Sequence, residues 1–349
     1  MTNQEILQEI RALAKGEPCS NQEILPILRR HGCDYLLSRV DDPSLKQQML
    51  LQRSLNSIAV KERYKACTPL FAQSEIPYAV IKGAVLSQAL YGDPLLRSSG
   101  DIDILIRRED ADRIKQLLLS NGFIQGRVTD HGIQPFSRRE LLFQTAMSHQ
   151  TAPYIKETGN KLCPYVNLDV NMNILWGESE EKADMSLVLS HTQKTELFGI
   201  PFQKLTSEME FISLCLHHYK DMNSLYLLTQ GSLRLGLFCE IYDYLRNVQP
   251  DAEKLQTLCK QLNVGRYVYV CLYQTQILFE DDLLKDYLKA LEVQKDISLL
   301  NTFGLHLSER KEWKLDLLER LFHPDPPQYL LEQFSAKEKE KIKANQSFM

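Results

Sequence analysis

Two aspartates within an apolar stretch restrict the fold of this chain more than any other feature of its sequence. The segment Lys82–Ile106 reads KGAVLSQALYGDPLLRSSGDIDILI, and Asp101 and Asp103 lie directly before its last aliphatic residues. Burying carboxylates among aliphatic side chains is unfavourable unless a cation meets them. Residues i and i+2 of a strand project from the same face. The sequence therefore predicts a strand over 101–106 with two carboxylates side by side.

Regular elements around this strand predict a mixed α/β core. Ile76–Ile81 is short, apolar and partly β-branched, which is typical of a strand, and Lys82-Gly83 closes it. Apolar residues at helical spacing predict helices over Ala84–Tyr91 and Glu109–Leu119. Strands that alternate with helices indicate an α/β or α+β fold with a small mixed β-sheet.

Further strands are predicted downstream of this core. Leu141–Ala146 is a short apolar run that we interpret as a strand. Val166–Ile174 alternates apolar residues with Asn and Asp, and this period of two places Asp169 on the polar face. Leu197–Phe202 resembles a small edge hairpin.

Helical patterns flank the core on both sides and suggest three regions. Residues 1–75 form a helical region, 76–205 an α/β core and 206–349 a second helical region. The end of the chain, SAKEKEKIKANQSFM, is rich in charge, and we predict a solvated helix end or tail there.

Composition limits the classes of partner and compartment. The 349-residue chain has a net charge of −4 and no cluster of Lys and Arg, so general attraction to nucleic acid is not expected. Its eight cysteines are widely spaced without a metal-binding motif, which predicts buried thiols. No segment resembles a signal peptide or a membrane span, so we expect a cytoplasmic protein without membrane contact.

The chemistry of the carboxylate pair predicts a metal site. Like charges this close resist joint ionisation unless a cation lies between them, and hard oxygen ligands suit Mg²⁺ or Mn²⁺. Asp169 is the best candidate for a third ligand, and three acids would hold two metal ions. A pair of the form Asp-x-Asp is weak evidence alone, and a solvated strand edge is the alternative.

The turn after the first predicted strand supplies a phosphate-binding feature. A glycine at position 83 lets backbone N–H groups approach a triphosphate, and Lys82 offers a positive charge. The alternative for Lys82 is an exposed lysine at a strand end.

The segment as a whole resembles the bacterial nucleotidyltransferase-like family, formerly called uncharacterised nucleotidyltransferases, of the DNA polymerase β-type nucleotidyltransferase superfamily. The family pattern is Lys-Gly, a helix, a Tyr-x-Asp-Pro turn, an Arg, and then Asp-hydrophobic-Asp-hydrophobic-Leu. The matching residues are Lys82, Gly83, Tyr91, Asp93, Pro94, Arg97, Asp101, Asp103 and Leu105.

This resemblance implies a fold, a reaction and a set of site residues. It implies a small mixed sheet with helices and transfer of a nucleoside monophosphate from an NTP with release of pyrophosphate. The implied metal ligands and catalytic residues are Asp101, Asp103 and, on a later strand, Asp169. The implied nucleotide-binding residues are Lys82, Gly83, Ala84 and Arg97.

Two positions depart from the pattern of related proteins. Broader superfamily members carry Gly or Ser where this chain has Ala84, which lacks a hydroxyl for phosphate. Relatives tend to have Asp-x-His on the third-acid strand, whereas this chain has Asp169-Val170-Asn171. Asn171 forms hydrogen bonds but cannot act as a base, so an acid/base role at that position is in doubt.

Several other polar residues have competing interpretations. Arg97 either balances the carboxylates or grips a phosphate, or else it pairs with Asp93. His217 and His218 are adjacent on a predicted helix, where side chains point about 100° apart and do not readily share one ion. We predict a packing or capping role for this pair, with a reach to the nucleotide cleft as the alternative.

Three charged residues on the following helix are possible acceptor-site residues or part of a solvated face: Arg234, Glu240 and Asp243. His149 lies in a predicted loop, and the sequence assigns it no role.

The leading hypothesis is a Mg²⁺-dependent nucleotidyltransferase acting on a hydroxyl or amine of a small molecule, peptide or protein. A catalytically idle nucleotide-binding or partner-binding protein is one alternative. A toxin–antitoxin component that modifies tRNA or a protein is another, although the acidic balance of charge makes tRNA less attractive. The NTP, the acceptor and the oligomeric state are left open by the sequence.

Overall fold

The computed structural model describes residues 1–73, 75–97, 99–147, 149–177, 179 and 181–346, which form two compact units. One unit comprises residues 43–213 and 247–251 and holds the large β-sheet. The other comprises residues 1–42, 214–246 and the chain from 252 onward and is mainly helical. We name them the sheet unit and the helical unit.

The helices follow one another along the chain as α1 (Asn3–Lys15), α2 (Ile24–Arg30), α3 (Pro43–Ala66), α4 (Thr68–Ala72), α5 (Gly83–Tyr91), α6 (Ala111–Ser120), α7 (Arg138–Met147), α8 (Met185–Ser190), α9 (Ser207–Asn223), α10 (Leu225–Leu228), α11 (Leu235–Asn247), α12 (Ala252–Gln261), α13 (Gly265–Phe279), α14 (Asp282–Leu291), α15 (Leu317–Leu321), α16 (Pro326–Glu332) and α17 (Ala336–Gln346).

The strands are β1 (Tyr78–Ile81), β2 (Asp101–Ile106), β3 (Ile124–Thr129), β4 (Gly132–Pro135), β5 (Tyr154–Asn160), β6 (Cys163–Asn171), β7 (Thr192–Leu197), β8 (Ile200–Leu205), β9 (Thr302–Phe303) and β10 (Lys311–Glu312).

The described strands of the sheet unit form one mixed sheet in the order β4-β3-β5-β6-β2-β1-β8-β7. At its centre, β2 runs antiparallel to β1 and parallel to β6, while β1 runs parallel to β8. The predicted fold class, a mixed sheet with helical regions before and after it in the chain, is confirmed. The sheet is wider than predicted, because β3, β4 and β5 were not recognised in the sequence.

One face of the central strands forms the apolar core of the sheet unit. The side chains that share this face on β2 and β6 are Ile102, Ile104, Ile106, Val166, Leu168 and Val170. They pack with residues of α3 and α6 such as Tyr64 and Ile114. Each aliphatic side chain buried here stabilises the fold by roughly 1.5–3 kcal/mol. The predicted alternation of both strands is therefore confirmed, and it directs Asp101, Asp103 and Asp169 to the opposite face.

The prediction of a strand over Leu141–Ala146 is wrong, because α7 covers this run. Ser137 and Glu140 bond reciprocally at the start of the helix: Ser137 N–H donates to Glu140 Oε2 and Glu140 N–H to Ser137 Oγ. This capping box favours a helix. A six-residue apolar run has no period that separates a strand from a buried helix, which explains the error.

The predicted hairpin around Gly199 is confirmed and is longer than predicted. β7 and β8 pair from Thr192 with Leu205 to Leu197 with Ile200. β7 is the edge strand, whereas β8 lies between β7 and β1.

The helical unit has its own core, with a two-stranded sheet of β9 and β10 that was not predicted. All eight cysteines are free and buried, as predicted. The charge-rich end forms α17, and Ile342 is buried with Leu330 and Phe334, so this end is partly packed rather than wholly solvated. Residues 347–349 of that prediction lie outside the described residues. In the part of the chain that the structure describes, no helix has the length and apolarity needed to cross a membrane.

Candidate active site

The register of two parallel strands brings the predicted acids to one face of the sheet. β2 and β6 pair Asp103 with Asp169, and Asp101 with Asn167. Because side chains at i and i+2 share a face, Asp101, Asp103 and Asp169 project from the same side of neighbouring strands. We call these three residues the carboxylate face.

Asp103 lies at the centre of this face and is fixed by two donors. It is 7% exposed, and its Oδ1 lies 3.1 Å from Lys82 Nζ and accepts a hydrogen bond of 3.1 Å from Asn171 Nδ2. Lys82 reaches it because β1 runs antiparallel to β2 and pairs Ile81 with Asp103. Lys82 therefore pairs with the central carboxylate and is not merely an exposed strand-end residue.

Asn171 is itself held by a second amide. Gln150 Nε2 donates to Asn171 Oδ1 at 2.7 Å, and Asn171 Nδ2 also approaches the carbonyl of Ile104 at 3.3 Å. The position that departs from the Asp-x-His pattern is thus 2% exposed and orients Asp103 through a chain of hydrogen bonds. Its observed role is to hold a carboxylate in place, which an amide performs without acting as a base.

Asp101 is tied to the turn that precedes β2. Ser99 Oγ donates to Asp101 Oδ1 at 3.0 Å, and the Ser99 carbonyl accepts a bond from Arg63 on α3. Gly83 has a φ of +47°, and a Cβ there would lie 3.2 Å from Ser99 Oγ. The glycine therefore permits both the turn after β1 and the close approach of Ser99.

The negative charges on this face act on one another. Burial raises the pKa of Asp169 to about 6, the charges of Asp103 and Asp101 add to the rise, and Lys82 opposes it. This agrees with the expectation that neighbouring carboxylates resist joint ionisation. Near pH 6 the Asp169 carboxyl is about half protonated.

The three carboxylates share a face, yet they are not tightly clustered. Among the described residues, three ligand atoms lie within 4.8 Å of one another only at His217, His218 and Asp221. Asp103 is drawn toward Lys82 and Asn171, and Asp101 toward Ser99. Like-charge repulsion and these separate donors account for the wider spacing.

The remaining predicted nucleotide-binding residues lie on the segment between β1 and β2. Lys82 has a φ of +58°, and its carbonyl accepts the N–H of Leu86 as α5 begins. Ala84 is buried in the apolar core of the sheet unit. The backbone N–H of Arg97 donates to Ser87 Oγ, and Asp93 pairs with Arg53.

Three contributors to this face were not recognised from sequence: Ser99, Gln150 and the hydrogen bond from Asn171 to Asp103. Asn171 carried a signal, because it shares the polar face of β6 with Asp169. Ser99 also carried a signal in the sequence, because it lies two residues before Asp101 in the predicted turn. Gln150 carried no signal in the sequence, since its hydrogen bond to Asn171 joins residues that are 21 positions apart.

A cavity of about 420 Å³ opens beyond the C-terminal ends of β2 and β6. Its lining includes Arg107, Arg108, His149, Trp176 and Lys182. Met172, which directly follows β6 and belongs to the apolar core of the sheet unit, also lines it. His149, which had no role in the sequence analysis, thus lines a cavity in the sheet unit.

The secondary candidates of the second helical region lie in the helical unit. Asp243 is 3% exposed, and burial raises its pKa to about 7, so a solvated face is the wrong interpretation for this residue. Glu240 is largely buried and lies beside His218, whereas Arg234 is exposed.

Comparison with known proteins bears on the family of the chain. Residues 19–280 match the sequence profile of a family described as uncharacterised nucleotidyltransferase. Among curated proteins, none matches the chain. A solved antigenic nucleotidyltransferase-like protein from Paracoccidioides brasiliensis is 17% identical, with coverage of 70% of this chain and 95% of that one and a TM-score of 0.35. The family match over residues 19–280 is the finding that bears on activity.

Proposed function

This chain belongs to the uncharacterised nucleotidyltransferase family, and from that premise we propose that it transfers a nucleoside monophosphate from an NTP to an acceptor hydroxyl or amine, with release of pyrophosphate. The observation that carries the proposal is the register that pairs Asp103 with Asp169 on parallel strands, with Asp101 two residues earlier on the same face.

The donor set of the carboxylate face fits a hard divalent cation such as Mg²⁺ or Mn²⁺. All three side chains offer oxygen ligands, and the raised pKa of Asp169 reflects negative charge that a cation would neutralise. Asp101, Asp103 and Asp169 would hold the metal, which would supply charge neutralisation for the reacting phosphate and the departing pyrophosphate.

The residues around this face have distinct roles in the proposed reaction. Lys82 and the turn at Gly83 bind the triphosphate, and Arg97 contributes positive charge to it. Ser99 and Asn171 keep Asp101 and Asp103 in their orientations. Asp169 faces Asp103 across the strand pairing and would complete the ligand set of the cation.

We further propose that the acceptor is a small molecule, a peptide or a protein side chain. The 420 Å³ cavity of the sheet unit has the volume of a small-molecule site and combines Trp176 with cationic side chains. It is therefore the candidate acceptor site within this unit.

The test is transfer of label from each α-³²P-labelled NTP, with Mg²⁺ or Mn²⁺, to components of a cell extract. We expect a labelled product from at least one NTP with the unmodified chain and none with Asp103→Asn. Asp112→Asn is the matched control, because it changes an exposed aspartate on α6 and leaves the carboxylate face intact.

Equal labelling by the unmodified chain and by Asp103→Asn would remove the carboxylate face from the reaction. Binding of an NTP without any transfer would instead identify an idle nucleotide-binding protein. Thermal unfolding with Mn²⁺ and a non-hydrolysable NTP separates this case from a chain that binds no nucleotide.

A further inference from the structure

A second group of ligand-type side chains lies in the helical unit, on α9 and α11. Ligand atoms of His217, His218 and Asp221 lie within 4.8 Å of one another. His217 and Asp221 are one helical turn apart, with 3.6 Å between His217 Nε2 and Asp221 Oδ2. The carboxylate of Glu240 on α11 lies 3.1 Å from His218 Nε2. We call these four residues the histidine cluster.

The close approach of the two imidazoles departs from the expectation for adjacent helical residues. Their backbone directions differ by about 100°, but the ring centroids are only 5.7 Å apart. His217 turns toward Asp221, while His218 points toward α11 and Glu240. The side-chain torsions thus bring together groups that the helix itself would separate.

His218 is the member of the cluster that a packing role explains least well. It is 1% exposed, and neither of its ring nitrogens makes a hydrogen bond with any residue that the structure describes. Glu240 Oε2 lies 3.1 Å from His218 Nε2, close enough to set the orientation of the ring. Buried polar groups are normally satisfied, so an imidazole in this state needs another partner.

The charge and chemistry of the cluster indicate what that partner is. The two imidazoles lie beside the carboxylates of Asp221 and Glu240, and Lys220 Nζ lies 3.9 Å from Asp221 Oδ1. Imidazole nitrogen suits first-row transition metals, whereas Mg²⁺ and Ca²⁺ prefer oxygen. A carboxylate next to a metal-binding histidine commonly orients its ring.

We propose that His217, His218 and Asp221 bind a divalent transition-metal ion such as Zn²⁺, with Glu240 as the positioning residue that orients His218. Metal–ligand bonds of roughly 2.0–2.2 Å require the three ligand atoms to approach by about 1 Å from their present spacing. His217 and Asp221 retain 24% and 16% side-chain exposure, which gives an ion access from solvent. Three protein ligands leave a coordination position for water or another molecule.

Cobalt is the probe for this site, because Co²⁺ occupies zinc-type sites and absorbs visible light when bound there. The experiment uses the full chain with Asp101→Asn and Asp103→Asn, so that the carboxylate face contributes no metal binding. We expect one bound Co²⁺ per chain, with visible absorption that Zn²⁺ displaces. Because transfer activity is not measured, failure here is distinct from failure of the proposed nucleotidyltransferase function.

Two further substitutions in that background test the ligands. We expect His218→Gln to abolish the visible absorption and Asp221→Asn to weaken Co²⁺ binding roughly 10-fold or more. The matched controls are His131→Gln and Asp282→Asn, which change an exposed histidine and an aspartate with a 90% exposed side chain. Both controls should bind Co²⁺ as the parent does.

Binding by Asp221→Asn that equals the parent, or a parent that binds no Co²⁺ at millimolar concentration, overturns the proposal. If circular dichroism shows that His218→Gln is unfolded, Co²⁺ binding by Asp221→Asn decides whether the proposal holds. This variant should fold, since the partly exposed Asp221 side chain is replaced by one of equal size.

Discussion

The carboxylate face and the histidine cluster place ligand-type side chains together in different ways. On β2 and β6 the grouping follows from strand geometry, because a period of two and a parallel register leave Asp101, Asp103 and Asp169 on one face. On α9 the helix separates His217 from His218, and only their side-chain torsions bring them together. Backbone periodicity therefore allows the carboxylate face to be predicted from the sequence, but not the histidine cluster.

The two groups also differ in the donors that satisfy them. Asp103 already has Lys82 and Asn171, and Asp101 has Ser99. His218 has no hydrogen bond to any described residue. Protein donors thus already occupy oxygens of the carboxylate face, and a metal–nucleotide complex would have to displace them. In the histidine cluster, the ring nitrogens of His218 make no hydrogen bond with a described residue.

Asp103→Asn should have the largest effect, and it should act on the carboxylate face alone. Loss of the central carboxylate should lower the rate of nucleotidyl transfer on the order of 10³-fold, because stabilisation of charge in the transition state is usually the largest catalytic contribution. The measurement is the steady-state rate of pyrophosphate release with the NTP that labels best. Visible absorption by Co²⁺ should be unchanged in the same variant, and a loss of both signals would show that the two groups are not independent.

A second prediction concerns the electrostatic strain of the carboxylate face. Burial and neighbouring charge raise the pKa of Asp169 to about 6, so the folded chain binds this proton more tightly than the unfolded chain does. The group therefore costs no stability below about pH 4 and destabilises the fold increasingly as the pH rises through 6. The full cost corresponds to at most roughly 3 kcal/mol.

Asp169→Asn should remove that cost in the metal-free chain. In EDTA at pH 7.5 we expect its unfolding midpoint to rise by at least about 2 °C, with little difference from the unmodified chain at pH 4. Differential scanning calorimetry at the two pH values checks this, and Asp112→Asn should show no such pH-dependent gain. A fall in the midpoint at pH 7.5 would mean that Asp169 is stabilised by partners rather than strained.

The sequence predicted the elements that create the carboxylate face and missed the contacts that hold it. β2 was predicted at its observed bounds, and β6 was predicted with the correct alternation, because apolar periodicity records which face is buried. The helix at α7 was mistaken for a strand, since a six-residue run has no decisive period. Gln150 was unpredictable because its bond to Asn171 depends on tertiary pairing.

Gly83→Ala tests whether the turn after β1 and the carboxylate face form one structure. An alanine at φ +47° adds backbone strain of roughly 1–2 kcal/mol, and its Cβ would lie 3.2 Å from Ser99 Oγ. We expect lower stability toward urea and a fall in transfer that exceeds the loss of folded protein, because Ser99 shifts away from Asp101. Unchanged activity in the folded fraction would show that Ser99 is not positioned through Gly83. Gly159→Ala is a matched control for strain, since Gly159 has a φ of +75° and a Cβ added there would meet no atom within 4 Å.

Ser99→Ala is expected to have the smallest effect and tests the hydroxyl that ties Asp101 to the preceding turn. Removing Ser99 Oγ deletes a hydroxyl shared between Asp101 Oδ1 at 3.0 Å and the Asp101 carbonyl at 2.9 Å, and a hydrogen bond of this kind contributes roughly 0.5–1.5 kcal/mol. Converted to a rate, that range predicts transfer about 2-fold to 12-fold slower, with the NTP concentration dependence little changed if Ser99 orients the carboxylate instead of binding nucleotide. Ser120→Ala is the control, because its exposed hydroxyl donates to the Leu117 carbonyl of its own helix and lies 3.5 Å from Asn121 Nδ2, away from the carboxylate face. A large rise in KM without a change in kcat would place Ser99 at the nucleotide, and the carboxylate face would then be held mainly by Lys82 and Asn171.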